Sequence, residues 1–303
     1  MSGPDASQGH KLEVGTVRDA GPRLSLVICT RNRSAQLARC LEVVRKLRSQ
    51  SAWEIVLVDN GSTDDTAKVI EAYKASMLVP VKSIQEMVPG LGRARNAGIK
   101  AASGDIIVFT DDDCYPNEDW LVEIDKAFMD PGLGFLTGKV ILHDPDDYPI
   151  SVNLLEDARD VPAGTYVSPY ILMGANLAFR RGALEKIGGF DSNLGAGTRY
   201  PVEDVDAAAR VVMAGWSGAY RPNIVVRHHH GRKEVDVAAL CRGYDYARGA
   251  YHMKLLLRGK PWFFARGIIS LRWRFSMSSL LWETRGGTAY LWDKMMGRLS
   301  PPN

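Results

Sequence analysis

An α/β fold with a mostly parallel central sheet flanked by helices is predicted by three observations. Short continuous apolar runs alternate with segments of helical spacing from Leu24 to Phe128. Two of those runs end in acids, as strands do where an open sheet meets a ligand. The chain has 303 residues with 46% apolar and 24% charged side chains, enough for one large domain or a domain with an appendage, and disorder of the bulk is excluded.

The elements follow in order. LSLVIC (24–29) reads as a buried strand, and Leu37, Cys40, Leu41, Val44 and Leu47 then recur at helical spacing. EIVLVDN (54–60) is a second buried strand ending in a polar pair; GSTDDTAKVIEAY opens with Ser62, Thr63 and Asp64, all good N-caps. LVPVKSI is a weaker strand, GRARNAGIKAA a helix, DIIVFT a strand and NEDWLVEIDKAF a helix. Strand–helix alternation of this kind makes a sheet covered on both faces. Beyond Gly134, FLTGKVIL is a strand, VDAAARVVMAG a helix and NIVVRHHH a strand, separated by long loops of the kind that usually carry function. The tail from Val235 reads as helical.

Composition limits the alternatives. Four cysteines without CxxC spacing suggest neither a zinc knuckle nor a disulfide scaffold, and a reducing cytosol fits best. Residues 1–22 read as a flexible polar tail lacking the basic start and apolar core of a signal peptide. No apolar run approaches the roughly 20 residues of a membrane span. From Arg232 onward there are 13 Lys/Arg against 5 Asp/Glu, leaving 25 against 30 before it, so an acidic partner would meet the C-terminal end. There Trp262, Trp273, Trp282 and Trp292 accompany Arg266, Arg272 and Arg274, a mixture suited equally to a membrane surface and to packing or a homodimer contact. No nucleic-acid motif is present, so that partner is not expected.

Candidate chemistry gathers where strands end. Asp59 closes the second strand; it suits a ligand contact, and Asp59 to Ser62 equally suits a turn with a helix cap. Asp111 and Asp113, spaced i and i+2, could bring hard oxygens to one Mg²⁺ or Mn²⁺, with Asp112 a spacer expected to tolerate substitution; a solvated acidic turn is the plainer alternative. Glu203, Asp204 and Asp206 open a helix, where negative charge favours the dipole, so a catalytic and a structural role are compatible. His228 and His230 share one face if their strand continues. HExxH is absent, so a zinc hydrolase is not indicated.

LSLVICTRNR, EIVLVDNGSTDDT, GRARNAGIKAASGDIIVFTDDD, GANLAFRR and EDVDAAARVVMAGW, in this order, resemble glycosyltransferase family 2 from about Leu24 to His230. The resemblance implies a GT-A nucleotide-sugar fold over 23–231, with 232–303 a basic, aromatic-rich helical extension. It implies an inverting transfer from a UDP, GDP or dTDP sugar to a glycan or lipid-linked acceptor, in the cytoplasm or at the inner membrane face. Thr30, Arg31, Asn32, Asp59, Arg95 and Asn96, with Asp111 and Asp112, fall in the nucleotide-binding motifs; the family commonly has an aromatic residue where Arg31 stands. Asp111 and Asp113 match the DxD metal motif, with His228 as an additional ligand. Gly174, Ala175 and Asn176 would border donor sugar and acceptor, Glu203 would support the acceptor, and Asp204 aligns with the catalytic base. The rival enzyme, a nucleotidyltransferase, would carry a glycine-rich phosphate loop after the first strand, and TRNRSAQ has no glycine. A binding subunit without activity is the rival of another class.

Overall fold

The computed structural model describes residues 21–271 and 276–300; the tail over 1–20 and Arg272, Trp273 and Arg274 lie outside the described residues. The first half alternates as expected apart from the short β5: β1 (Leu24–Thr30), α1 (Ser34–Val44), β2 (Trp53–Asp59), α2 (Thr66–Ser76), β3 (Val81–Gln85), α3 (Leu91–Ala101), β4 (Ile106–Asp111), β5 (Cys114–Pro116) and α4 (Trp120–Ala127). Then come β6 (Leu133–Leu142), β7 (Arg159–Val161), β8 (Leu177–Arg180), α5 (Arg181–Lys186), α6 (Glu203–Met213) and β9 (Ser217–His228). Three helices finish the chain: α7 (Glu234–Leu257), α8 (Pro261–Leu271) and α9 (Met277–Met295).

The strands form one open sheet in the order β3-β2-β1-β4-β8-β6-β9-β5, with β7 paired to β9 beside β5. From β3 to β4 all neighbours are parallel, in register from Leu24 opposite Trp53 and Ile106. The sheet becomes mixed where β8 inserts antiparallel between β4 and β6, and β6 pairs parallel with β9. Period-2 alternation sorts the side chains: Leu24, Leu26, Ile28, Ile55 and Leu57 face α1, α2 and α4, whereas Val27, Val56, Val58, Ile107 and Phe109 face α3, α6 and α7. The chain winds outward from β1 to β3 and then returns to β4 on the other side of β1. That reversal leaves a crevice at the carboxyl ends of β1 and β4.

Helices α7 and α9 contribute side chains to this core. Ala247, Ala250, Tyr251 and Leu255 of α7 and Tyr290 of α9 belong to the cluster on the α3 side of the sheet. Helices α7 and α9 touch backbone to backbone: a Cβ on Gly249 would fall 1.9 Å from the Glu283 carbonyl oxygen, and one on Gly286 1.9 Å from that of Tyr246. Packing thus accounts for much of the tail, while Trp262 and Trp292 stay exposed. Among the described residues no helix is long and apolar enough to cross a membrane.

Candidate active site

The crevice at the β1–β4 reversal is a cavity of about 930 Å³. Its walls are the ends of β1 and β4, the start of α6, the 149–152 and 169–175 segments, and α7. Parallel strands deliver Thr30 and Asp111 to the same edge, because Cys29 pairs with Asp111 and Thr30 with Asp59. The two strand ends that carry acids, Asp59 and Asp111, therefore lie at one end of the sheet.

The three aspartates separate once the chain turns. Asp112 is buried: its Oδ2 accepts from Thr30 Oγ1 at 2.7 Å and its Oδ1 pairs with Arg33 at 2.8 Å. Burial, only partly offset by Arg33 and Thr30, pushes its carboxyl up to about 7. Asp113 Oδ2 accepts from the other arm of Arg33 at 2.6 Å, and its Oδ1 lies 3.4 Å from His228 Nε2. Burial opposes ionisation there too, but His228 and Arg33 hold the Asp113 carboxyl well below the usual range. Asp111 is one-third exposed and faces Arg95 at 3.6 Å. The repulsion within the triplet is thus answered by cations, Arg33 and Arg95, from different elements.

Asp112 is accordingly more than a spacer. Its carboxylate fixes the β1–α1 loop through Thr30 and Arg33, which the sequence reading did not anticipate. Substitution of Asp112 by Ala is expected to destabilise the fold by roughly 1–2 kcal/mol, at the low end for a charged hydrogen bond because solvent screens the 38% exposed Arg33. Urea unfolding of the variant, compared with an exposed control such as Asp65→Ala, measures this; equal midpoints would restore the spacer reading.

A cation fits beside Asp113. Asp113, Cys114 and His228 offer ligand atoms all within 4.8 Å of one another. Burial pushes the Cys114 thiol well above its ordinary range, leaving carboxylate and imidazole as the effective donors, a set suited to Mn²⁺. His228 Nδ1 lies 3.3 Å from the Ser151 carbonyl oxygen, so it donates there and Nε2 is turned to Asp113. Burial lowers the affinity of His228 for a proton, but Asp113 more than offsets this and the net shift is upward. Asp111 lies outside that cluster, on the cavity wall. His230 does not join it: the strand ends at His228, and the His230 side chain is buried 3.6 Å from Asp147.

The opposite wall carries Glu203 and Asp204 on the first turn of α6. Glu203 Oε1 accepts from Arg95 at 2.8 Å. Asp204 Oδ1 accepts from the Val205 amide at 2.8 Å, leaving Oδ2 toward Gly174, where a built Cβ would approach it to 3.1 Å. Burial raises both carboxyls, against the opposing pull of Arg95.

Other expected residues have structural partners. Asp59 accepts from the Ser62 amide at 2.8 Å, the turn interaction, and Asn32, at φ 52°, accepts from the Thr63 amide at 2.7 Å. Asn96 clamps Phe190 through both its amide groups. Asn176 is consumed by Trp120, Lys139 and Ile224. None of these four side chains lines the cavity, whereas Arg31, Gly174 and Ala175 do. Several cavity residues were not singled out from sequence. Arg33 lay two positions after Arg31; Asn60, which accepts from the Gly90 amide and donates to the Glu86 and Val88 carbonyls, was adjacent to Asp59. Tyr244 and Arg248 had only helical spacing to mark them.

A glycosyltransferase is the class of protein to which the comparisons with known proteins assign this chain. The glycosyl transferase family 2 model matches residues 25–188, more than half of the chain, and the chain belongs to that family. Among curated relatives, glycosyltransferase AglE of Haloferax volcanii is 25% identical over 208 residues, spanning 68% of this chain and 67% of its own. The O-antigen chain rhamnosyltransferase WbaN of Salmonella anatum is 26% identical over 222 residues, 69% of this chain and 67% of its own. In solved structures the fold matches mannosyltransferase PcManGT from Pyrobaculum calidifontis in complex with GDP-Man and Mn²⁺, with TM-score 0.62 at 19% identity, covering 91% of this chain and 89% of that one. It likewise matches S. aureus TarS 1–349 in complex with UDP-GlcNAc, with TM-score 0.62 at 20% identity, covering 81% and 71%. The chain is therefore a glycosyltransferase of this family, and the nucleotidyltransferase rival falls away.

Proposed function

We propose that the enzyme transfers one sugar, with inversion, from a nucleotide diphosphate donor to a hydroxyl of a glycan or lipid-linked acceptor, with Mn²⁺ or Mg²⁺ as cofactor. The observation that carries this is that Asp113 with His228 and Asp204 occupy one cavity, the first pair suited to a cation and the last suited to a base. Asp204 Oδ2 takes the proton of the acceptor hydroxyl as that oxygen attacks the anomeric carbon. The bond from that carbon to the diphosphate oxygen breaks on the opposite face, so configuration inverts in one displacement. Asp113 and His228, with Asp111 on the donor side, would hold the cation, which supplies charge neutralisation for the leaving diphosphate. Thr30 and Arg31 border the nucleotide. Gly174 and Ala175 leave room for the donor sugar beside Asp204.

Heating the protein with UDP, GDP or dTDP in the presence of Mn²⁺ tests the donor side. A diphosphate that binds only the folded state raises the melting temperature, by about 2.7 kcal/mol of stability at one hundred times its dissociation constant. Substitution of His228 by Ala is expected to shrink the Mn²⁺-dependent part of that shift and leave the metal-free part in place. An undiminished Mn²⁺ effect would remove His228 from the cation site. The arrangement would also admit one ordinary role for the C-terminal helices: α7 closes the acceptor side of the cavity through Tyr244 and Arg248.

A further inference from the structure

The resemblance placed Arg95 along the nucleotide, yet its environment is different. Arg95 is 2% exposed, and its guanidinium is engaged by the protein on every side that has a polar partner. Nη1 donates to Glu203 Oε1 at 2.8 Å, and Nη2 donates to the Gly174 carbonyl at 3.2 Å and faces Asp111 Oδ1 at 3.6 Å. The rings of Phe109 and Phe190, themselves edge to face with centroids 5.3 Å apart, meet it from one side, with centroids 5.6 and 5.4 Å from Cζ. This aromatic pair shields that side of the guanidinium from water.

One side chain on α3 therefore ties the end of β4, the turn before β8 and the first turn of α6. The contact is tight. A Cβ at position 174 would lie 2.9 Å from Arg95 Nη2 and 3.1 Å from Asp204 Oδ2, so guanidinium, glycine and carboxylate meet at one point. Three carboxylates, Asp111, Glu203 and Asp204, would otherwise repel one another across the cavity.

We propose that Arg95 is a positioning residue: instead of contacting the nucleotide, it fixes Glu203, Asp111 and the Gly174 carbonyl, and so holds Asp204 aimed at the acceptor. This rests on the reading of Asp204 as the base. A planar fork with several donors is needed because the partners lie on different elements in fixed directions, and lysine supplies the charge without the fork.

The test compares Arg95→Gln and Arg95→Lys with the parent enzyme. Turnover is followed by release of nucleoside diphosphate, and UDP or GDP binding with Mn²⁺, whichever gives the larger melting shift, by calorimetry. Arg95→Gln is expected to lower kcat about 100-fold, the scale of a misplaced reacting group, while the diphosphate dissociation constant moves less than about twofold. Arg95→Lys should recover roughly a tenth to a half of the parent kcat at the same dissociation constant, because charge is restored and direction is not. Binding that weakens in step with kcat/KM would make Arg95 a nucleotide ligand and overturn the proposal. Unchanged kcat in Arg95→Gln would overturn it as well. If the glutamine variant does not fold, the lysine variant carries the same comparison, reduced kcat at unchanged binding. Failure of the base reading is seen separately, as retained turnover in Asp204→Asn, whereas the Arg95 comparison depends on the split between kcat and binding.

Discussion

Asp204→Asn is expected to lose about 10² to 10⁴ in turnover, the usual contribution of a positioned general base, with binding of a nucleoside diphosphate and Mn²⁺ retained. The amide is nearly isosteric, can still accept the Val205 amide proton through its oxygen, and cannot take the proton of an attacking hydroxyl. Asp204 has no contact with Asp113 or His228 in the cavity, so the donor side should be undisturbed. The sign of the pH dependence follows from burial, which raises Asp204 and Glu203 above the ordinary carboxylate range in spite of Arg95. A base must be ionised to work, so kcat falls as pH falls through that raised value. The acid limb is expected above the roughly pH 4 of an unperturbed carboxylate and is absent in the Asn variant. Turnover equal to the parent's at pH 8 would remove Asp204 from the base role.

The largest effect on stability is expected at Lys254 on α7. Its Nζ lies 2.6 Å from Asp206 Oδ1 and 2.6 Å from Asp191 Oδ2, and all three are buried. Asp206 also accepts from Arg210 at 2.7 Å. Burial resists ionisation of both carboxylates, but the cations prevail, holding Asp206 down to about 2 and lowering Asp191 as well. Lys254→Ala leaves two buried carboxylates short of one cation, and the expected loss is roughly 3–5 kcal/mol. Because the folded values are depressed, the stabilisation is fully present above the unfolded value of 3.8 and is lost as pH falls through about 2. In the variant the uncompensated carboxylates shift the other way, so the gap in melting temperature between parent and variant should narrow from pH 7 to pH 3. A gap independent of pH would mean that Lys254 contributes by packing alone.

This ion cluster also bears on how the chain is divided. A boundary at 231 follows the change in charge and loop density, but Lys254 reaches into the helix that carries Glu203 and Asp204. We propose that α7 and α9 act with the catalytic domain as one unit, a view supported by the shared core of Tyr251, Leu255 and Tyr290.

Much was legible in the chain. Apolar runs of four residues separated by helical periods gave β1, β2, β4 and their helices, because a strand covered on both faces must be largely apolar and a surface helix must be apolar on one side. The aspartates at 111–113 and the acids at 203–204 were visible because carboxylates concentrated at strand and helix ends are conspicuous in sequence. The partners of Asn96 and Asn176 were not legible for a matching reason: proximity to a motif says nothing of direction, and these amides turn to Phe190 and to Trp120, Lys139 and Ile224.

The sequence alone determined the order of the longer elements, the parallel half of the sheet and which segments carry acids, since periodicity and composition are local properties; the short β5, β7, β8 and α5 it left unmarked. Only the tertiary structure decided the partners. Arg33 on Asp112 and Asp113, Arg95 on Glu203, His228 beside Asp113 and Lys254 on Asp206 join residues 79 and 80, 108, 115 and 48 positions apart. Such pairings depend on the sheet order and on burial, which together bring distant charges into a dry crevice where each must find its counter-charge.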